Sequence, residues 1–155
     1  MKRRCVFLDR DGVINENAAP GDYIRSAAQF RLLPNIADWI RLLNALDFLV
    51  IVITNQRGVA LGLMTEQDVT AIHEKMLGQL AALGARIDDV FYCPHGSDSC
   101  ECRKPKPGMI HSARDKWNID LAQSLFLGDT DSDQQLAANC GLRFLRVVDG
   151  RLRMP

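Results

Sequence analysis

The chain has 155 residues, 47% hydrophobic and 25% charged, with 19 basic against 19 acidic side chains. That length makes one ordinary domain, residues 1–155, with a sizeable core, and the balanced charge lacks the basic footprint of a nucleic-acid binder. The longest apolar run, residues 48–53, is too short to span a membrane, and Asp9 cuts short any leader-like stretch after the basic N-terminus.

The expectation is therefore a cytoplasmic monomer with no membrane or nucleic-acid partner. Five cysteines are an odd number, and a reducing compartment disfavours disulfides among them.

Apolar strand-like runs alternate with helical patterns along the chain. Residues 4–8 read as a strand ending in Asp9-Arg10-Asp11-Gly12-Val13. Residues 34–46 read as a helix, with Pro34 near its first turn and Ile36, Trp39, Ile40, Leu43 and Leu46 on one face. A β-rich strand spans 48–53. Thr65-Glu66-Gln67-Asp68 opens a capped helix whose stripe runs through Val69, Ile72, Met76, Leu77, Leu80 and Leu83 to a stop at Gly84. Residues 90–92, 124–127 and 143–148 read as strands, and 108–117 and 131–139 as helices. The tail from Arg151 reads as loosely held. This alternation predicts an α/β fold: a Rossmann-like parallel sheet with helices on both faces.

The polar punctuation falls at the strand ends. Asp9 and Asp11 follow the first strand, Thr54 and Asn55 the second, and Asp129 the fourth. In an open α/β sheet those ends share the edge where ligands bind. Side chains two apart on extended backbone point the same way, so Asp9 and Asp11 can converge, and Gly12 lets the chain turn away. Converging carboxylates suit a hard cation beside a carboxylate nucleophile, although most such pairs are solvated turn acids. Thr54, Asn55 and Gln56 offer donors for a phosphate oxygen, or a turn cap. Arg103 and Lys104, stiffened by Pro105 and Pro107, read as a charge-neutralising pair or as a solvated basic loop. Asp129 is the natural metal ligand of its strand. Asp131 reads equally as a helix N-cap, and Asp133 as a first-turn acid or a support for the metal's shell.

A second cluster lies between the third strand and the basic pair. Cys93, His95, Cys100 and Cys102 place three thiolates and an imidazole within ten residues. Four N/S ligands match a closed tetrahedral zinc site, and a redox Cys-x-Cys pair is the other reading. Such a loop would deliver Arg103 and Lys104 to the active edge. Cys5 and Cys140 read as buried small hydrophobes, and His73 and His111 as surface residues.

In this order the motifs (D-x-D-G-V, T-N, K-P, G-D-x-x-x-D) resemble the haloacid dehalogenase superfamily of phosphatases. The resemblance implies that Asp9 attacks phosphorus and that Asp11 protonates the departing oxygen, then activates the hydrolytic water. It implies Mg2+ held by Asp9, the Asp11 carbonyl and Asp129, with Thr54 and Lys104 steadying the phosphoryl group. The zinc loop followed by R-K-P narrows the resemblance to the branch of heptose 1,7-bisphosphate 7-phosphatases and histidinol-phosphate phosphatases. Segments 54–62, 104–109 and 112–115 are more similar to the heptose type, which serves lipopolysaccharide and capsule precursor synthesis. That resemblance implies a sugar-phosphate substrate whose second phosphate meets Arg103. Histidinol phosphate is the alternative substrate, and a catalytically silent zinc-stabilised binding domain the alternative outside enzymes.

Departures from the heptose pattern are Thr130 in place of a lysine, Arg57 in place of a small polar residue, a shorter zinc loop, and segment 17–20, which should line the substrate. About twenty-five residues between the first strand and first helix are too few for an ordinary cap domain, so a capless, open site is expected.

Overall fold

The computed structural model describes residues 1–97 and 99–153. Ten elements follow one another: β1 (Cys5–Leu8), α1 (Ile36–Ala45), β2 (Leu49–Asn55), α2 (Glu66–Ala82), β3 (Asp89–Cys93), α3 (Gly108–Trp117), β4 (Leu125–Gly128), α4 (Asp131–Asn139), β5 (Arg143–Val148) and β6 (Arg151–Arg153). The strands form one sheet in the order β3-β2-β1-β4-β5-β6. Every pairing is parallel except the last, with Phe7 opposite both Ile51 and Phe126 at the centre.

The expected α/β architecture is present, and strand alternation shows why. Val6, Leu8, Val50 and Val52 pack on one face against Ile36 and Ile40 of α1 and Ile72, Met76 and Leu80 of α2. Cys5, Phe7, Leu49, Ile51 and Ile53 pack on the other against Met109 and Ile110 of α3 and Leu136 of α4. A central parallel strand is covered on both sides, so β1 and β2 read as unbroken apolar runs. Among the described residues, segment 9–35 between β1 and α1 carries one turn of 3-10 helix, Ala27–Gln29.

Several expectations are corrected. Pro34 lies before α1, which starts after Asn35 in the left-handed region at φ 69°. Trp39 and Leu46 are exposed on α1, as are Leu77 and Leu83 at α2, because each of these helices covers the sheet along a narrower stripe. His73 is the reverse case: it is buried on the inner side of α2. Cys140 is half-buried, whereas Cys5 is fully enclosed and its thiol pushed far up by burial. The tail is not loose at Arg151, since β6 pairs antiparallel with β5 and Leu152 packs on the core. Asp149 and Gly150, at φ 50° and 72°, make the two-residue turn between them, the D-G hairpin pattern that the sequence carries openly. Residues 154 and 155 of that tail lie outside the described residues.

Candidate active site

The site begins with a buried lysine. Lys104 Nζ donates to Asp9 Oδ1 (2.9 Å), Asp133 Oδ1 (2.7 Å) and the Ile53 carbonyl (3.1 Å), which uses all three of its protons. Asn55, at the end of β2, fixes the lysine's backbone from both sides. Its Oδ1 accepts from Lys104 N at 3.0 Å, and its Nδ2 donates to Lys104 O at 3.3 Å. Burial alone would lower the lysine's pKa, but Asp9 and Asp133 outweigh it and the net shift is upward.

Asp9 ends β1, and its N–H donates to Leu127 O on β4. Burial pushes its carboxyl well above the usual range; Lys104 opposes this, while Asp133 and Asp11 add to it. Asp133 is fully buried and its Oδ2 accepts from the N–H groups of Asp129 and Thr130 (3.2 and 3.3 Å). It therefore acts as a brace between Lys104 and the β4–α4 turn, which is its expected supporting place. The helix cap is Thr130, one residue before the expected Asp131; its hydroxyl accepts from Asp133 N, and Asp133 returns the bond as a capping box. Asp131 is exposed and paired with Arg146 instead.

Asp9, Asp129 and Asp133 each offer an oxygen within 4.8 Å of the others. Asp129 Oδ1 is buried without a hydrogen-bond partner, and an unpaired buried carboxylate oxygen is costly unless a cation meets it. A Cβ on Gly12 would lie 2.0 Å from Asp129 Oδ2, so only glycine lets the β1 turn approach that carboxylate. These residues fit a hard divalent cation such as Mg2+ between Asp9 and Asp129.

The expected convergence of the Asp9 and Asp11 carboxylates is not found: Asp11 stands apart from that cluster, held by Arg10, Asn15 and Gln56. Its Oδ1 accepts from Arg10 Nη2 and Asn15 Nδ2, both at 2.8 Å, and its Oδ2 from Gln56 Nε2 at 3.1 Å. Burial raises its pKa, but the Arg10 guanidinium and these hydrogen bonds outweigh burial and hold it below the ordinary value.

A cavity of about 270 Å3 joins Asp9, Asp11, Asn55, Arg103, Lys104 and Asp129 with Asn17, Thr130 and Ser132. Asn17 belongs to segment 17–20, expected to line the substrate, whereas Ser132 was not foreseen. Asn17 donates weakly to Asp129 Oδ2 at 3.4 Å, and Ser132 Oγ, in the first turn of α4, is buried without a partner. The G-D-x-x-S spacing was the available signal for Ser132. Thr54 and Gln56 sit behind the cavity, both buried, with Gln56 Nε2 also donating to Thr54 Oγ1 at 2.9 Å. Arg57 is exposed and faces the neighbouring loop, where a Cβ on Gly96 would meet it at 3.7 Å.

That loop carries the three clustered cysteines and His95. Cys93 closes β3, and Cys93 Sγ lies 2.9 Å from Cys102 Sγ, 3.7 Å from Cys100 Sγ and 3.3 Å from His95 Nδ1. His95 Nδ1 is 3.2 Å from Cys102 Sγ. Four ligand atoms drawn onto one point with no carboxylate among them match a tetrahedral zinc site. The loop is tied to the site on both sides. Gln56 N donates to Cys93 O at 2.8 Å, and Arg103 Nη1 donates to His95 O at 3.4 Å.

Strand ends, buried lysine and paired acids define a haloacid dehalogenase-type phosphatase. A model of the polynucleotide kinase 3 phosphatase family matches residues 4–147. The chain is 44% identical over 149 residues to D-glycero-beta-D-manno-heptose-1,7-bisphosphate 7-phosphatase of Rhodopseudomonas palustris, covering 91% of this chain and 81% of that protein. It is 37% identical to the D-glycero-alpha-D-manno-heptose-1,7-bisphosphate 7-phosphatase of Campylobacter jejuni, covering 96% and 84%. The crystal structure of D,D-heptose 1,7-bisphosphate phosphatase from B. bronchiseptica, complexed with magnesium and phosphate, superposes with a TM-score of 0.85 at 38% identity, covering 91% and 78%. The chain belongs to this phosphatase family of the haloacid dehalogenase superfamily, in the heptose-bisphosphate and histidinol-phosphate branch. It is a phosphoric monoester hydrolase.

Proposed function

We propose that the chain removes the 7-phosphate of D-glycero-D-manno-heptose 1,7-bisphosphate through an aspartyl-phosphate on Asp9, in the making of lipopolysaccharide or capsule heptose precursors. The observation that carries this reading is the Asp9–Lys104–Asp133 triad beside the unpaired oxygen of Asp129, in a chain so similar to heptose-bisphosphate phosphatases. Phosphoryl transfer asks chiefly for positioning and charge neutralisation, which this geometry supplies. Asp9 attacks phosphorus in line with the sugar oxygen. Lys104 screens the carboxylate from the incoming phosphate. Asp11, ionised in the free site, takes up a proton alongside the bound phosphate, gives it to the leaving oxygen, then takes one from the water that frees Asp9.

Asp9, the Asp11 carbonyl and Asp129 would hold Mg2+, which when bound neutralises the charge shared by nucleophile and phosphate. Arg103 lines the cavity and meets the second phosphate with a planar donor fork. Thr54, Asn55 and Gln56 support the phosphoryl site from behind, Asn55 through the lysine and Gln56 through Asp11. Cys93, His95, Cys100 and Cys102 would hold a structural zinc, which when bound would fix the loop that leads to Arg103 and Lys104. Residues 1–155 serve as one catalytic domain, a cytoplasmic monomer acting on a small molecule. Among the described residues no helix is long and apolar enough to cross a membrane, and the balanced charge argues against a nucleic-acid substrate.

The test is a comparison of kcat/KM for both anomers of the heptose bisphosphate, other sugar phosphates and histidinol phosphate. The heptose bisphosphates should lead the panel. A lead of tenfold or more for histidinol phosphate would overturn the substrate assignment. Thr130 is spent on capping α4 at a position where the resemblance implies a lysine, which makes the anomer comparison the sharpest arm.

A further inference from the structure

Arg10 is fully buried, one residue from the proposed nucleophile, and His73 lies beneath it on α2. The two nitrogens, Arg10 Nη1 and His73 Nε2, are 3.1 Å apart. A guanidinium has no acceptor, so the arginine must donate and His73 must accept at Nε2, with its proton on Nδ1. The imidazole is therefore neutral in this geometry. The other arm of the same guanidinium, Nη2, donates to Asp11 Oδ1 at 2.8 Å. Asn15 donates to that same oxygen, whereas Oδ2 accepts only from Gln56 among the described bonds. The carboxylate is thus clamped through Oδ1, and Oδ2 is the oxygen with room to exchange a proton with substrate. His73 is itself held by an edge contact to Tyr92 (5.9 Å between centroids, 63°), whose hydroxyl donates to Glu66 at the start of α2.

We infer that His73 is a positioning residue for proton transfer: through Arg10 it fixes the rotation of the Asp11 carboxylate and presents Oδ2 to the leaving oxygen. This rests on the reading of Asp11 as the general acid. A buried arginine with one acceptor removed would have to seek another, and with Nε already unpartnered it has no local surplus of acceptors. Its nearest recourse is a shift at Asp11.

The experiment compares two esters in one protein. A sugar phosphate needs a proton on its departing alkoxide, whereas p-nitrophenyl phosphate releases a stable phenolate without one. kcat/KM reports the steps through aspartyl-phosphate formation for both. In His73→Leu, kcat/KM for the heptose bisphosphate should fall about tenfold, a part of the range that general acid catalysis spans. For p-nitrophenyl phosphate it should change less than about twofold on the same basis. His73→Gln, whose amide oxygen can still accept from Arg10, should recover most of the loss. Because the reading is a ratio of two substrates, the fraction of folded protein cancels. His73→Met gives the same comparison if the leucine variant does not fold.

Equal loss on both esters, no loss on either, or no recovery with glutamine would overturn the positioning role. Equal loss of kcat/KM on both esters in an Asp11→Asn protein would instead overturn the general-acid reading on which it rests.

Discussion

Two ligand clusters stand at the same end of the sheet and are built in opposite ways. The Cys93–Cys102 cluster draws four soft ligands from ten consecutive residues, and they converge on one another. The acid cluster gathers Asp9, Lys104, Asp129 and Asp133 from two strand ends, a loop and a helix, and it leaves an oxygen on Asp129 and a hydroxyl on Ser132 unpaired beside a cavity. A closed set of ligands stabilises a loop and has no position left for a reactant. An open set with unmet polar atoms is poised to take one. Position follows the same division, since the closed cluster lies upstream of Lys104 in the chain and the open one surrounds its ammonium group.

Substitution at the open cluster should give the largest effect. Asp9→Asn removes the proposed nucleophile, and phosphate release should fall by more than about a thousandfold. A colorimetric phosphate assay checks this, with circular dichroism to show that the fold persists. Next is Lys104→Met, which strips one partner from a buried ionic triad and leaves Asp9 and Asp133 facing each other. The expected cost is about 3–5 kcal/mol of stability, read from urea denaturation, together with loss of turnover.

The closed cluster should respond less in catalysis. Metal analysis should find one tetrahedral zinc per chain, and Cys102→Ser or chelation should release it and lower the melting temperature. Turnover should fall about tenfold, the scale on which supporting shells act. Full activity after proven zinc loss would break the link between the loop and Lys104.

The smallest effect separates His73 from both clusters. Burial, and then the Arg10 guanidinium, press its pKa down to about 4, against about 6.5 in an unfolded chain. The unfolded state therefore binds more protons in this window, and stability falls as pH drops from about 6.5 toward 4. About 1 kcal/mol should be lost between about pH 6 and pH 5, and His73→Leu should flatten that limb. Denaturation midpoints across this range give the comparison.

Much of this was legible in the residues. Patterns confined to a few neighbours survive folding unchanged: the apolar strands, the Thr65 capping box and the dense cysteine loop. His73 was not legible, because its apolar neighbours on α2 gave no reason to expect a buried polar contact with a residue 63 positions away. The β5–β6 hairpin was missed although Asp149-Gly150 announced it, since a short charged strand such as Arg-Leu-Arg carries almost no alternation to read. Asn17 and Arg57 were placed by loops whose course depends on distant packing.

By itself, then, the sequence determined the alternation of strands and helices, the edge where acids and basic pair would meet, and the ligand set of the loop. Each follows from periodicity or from chemistry carried within a short span. Only the tertiary structure decided that Lys104 spends its three protons on Asp9, Asp133 and Ile53, that Asp129 keeps an oxygen free, and that Arg10 turns inward to His73. Those outcomes depend on which polar groups are enclosed together. Enclosure is a property of the packed sheet and its helices, because only there must every buried donor find an acceptor that the local chain does not supply.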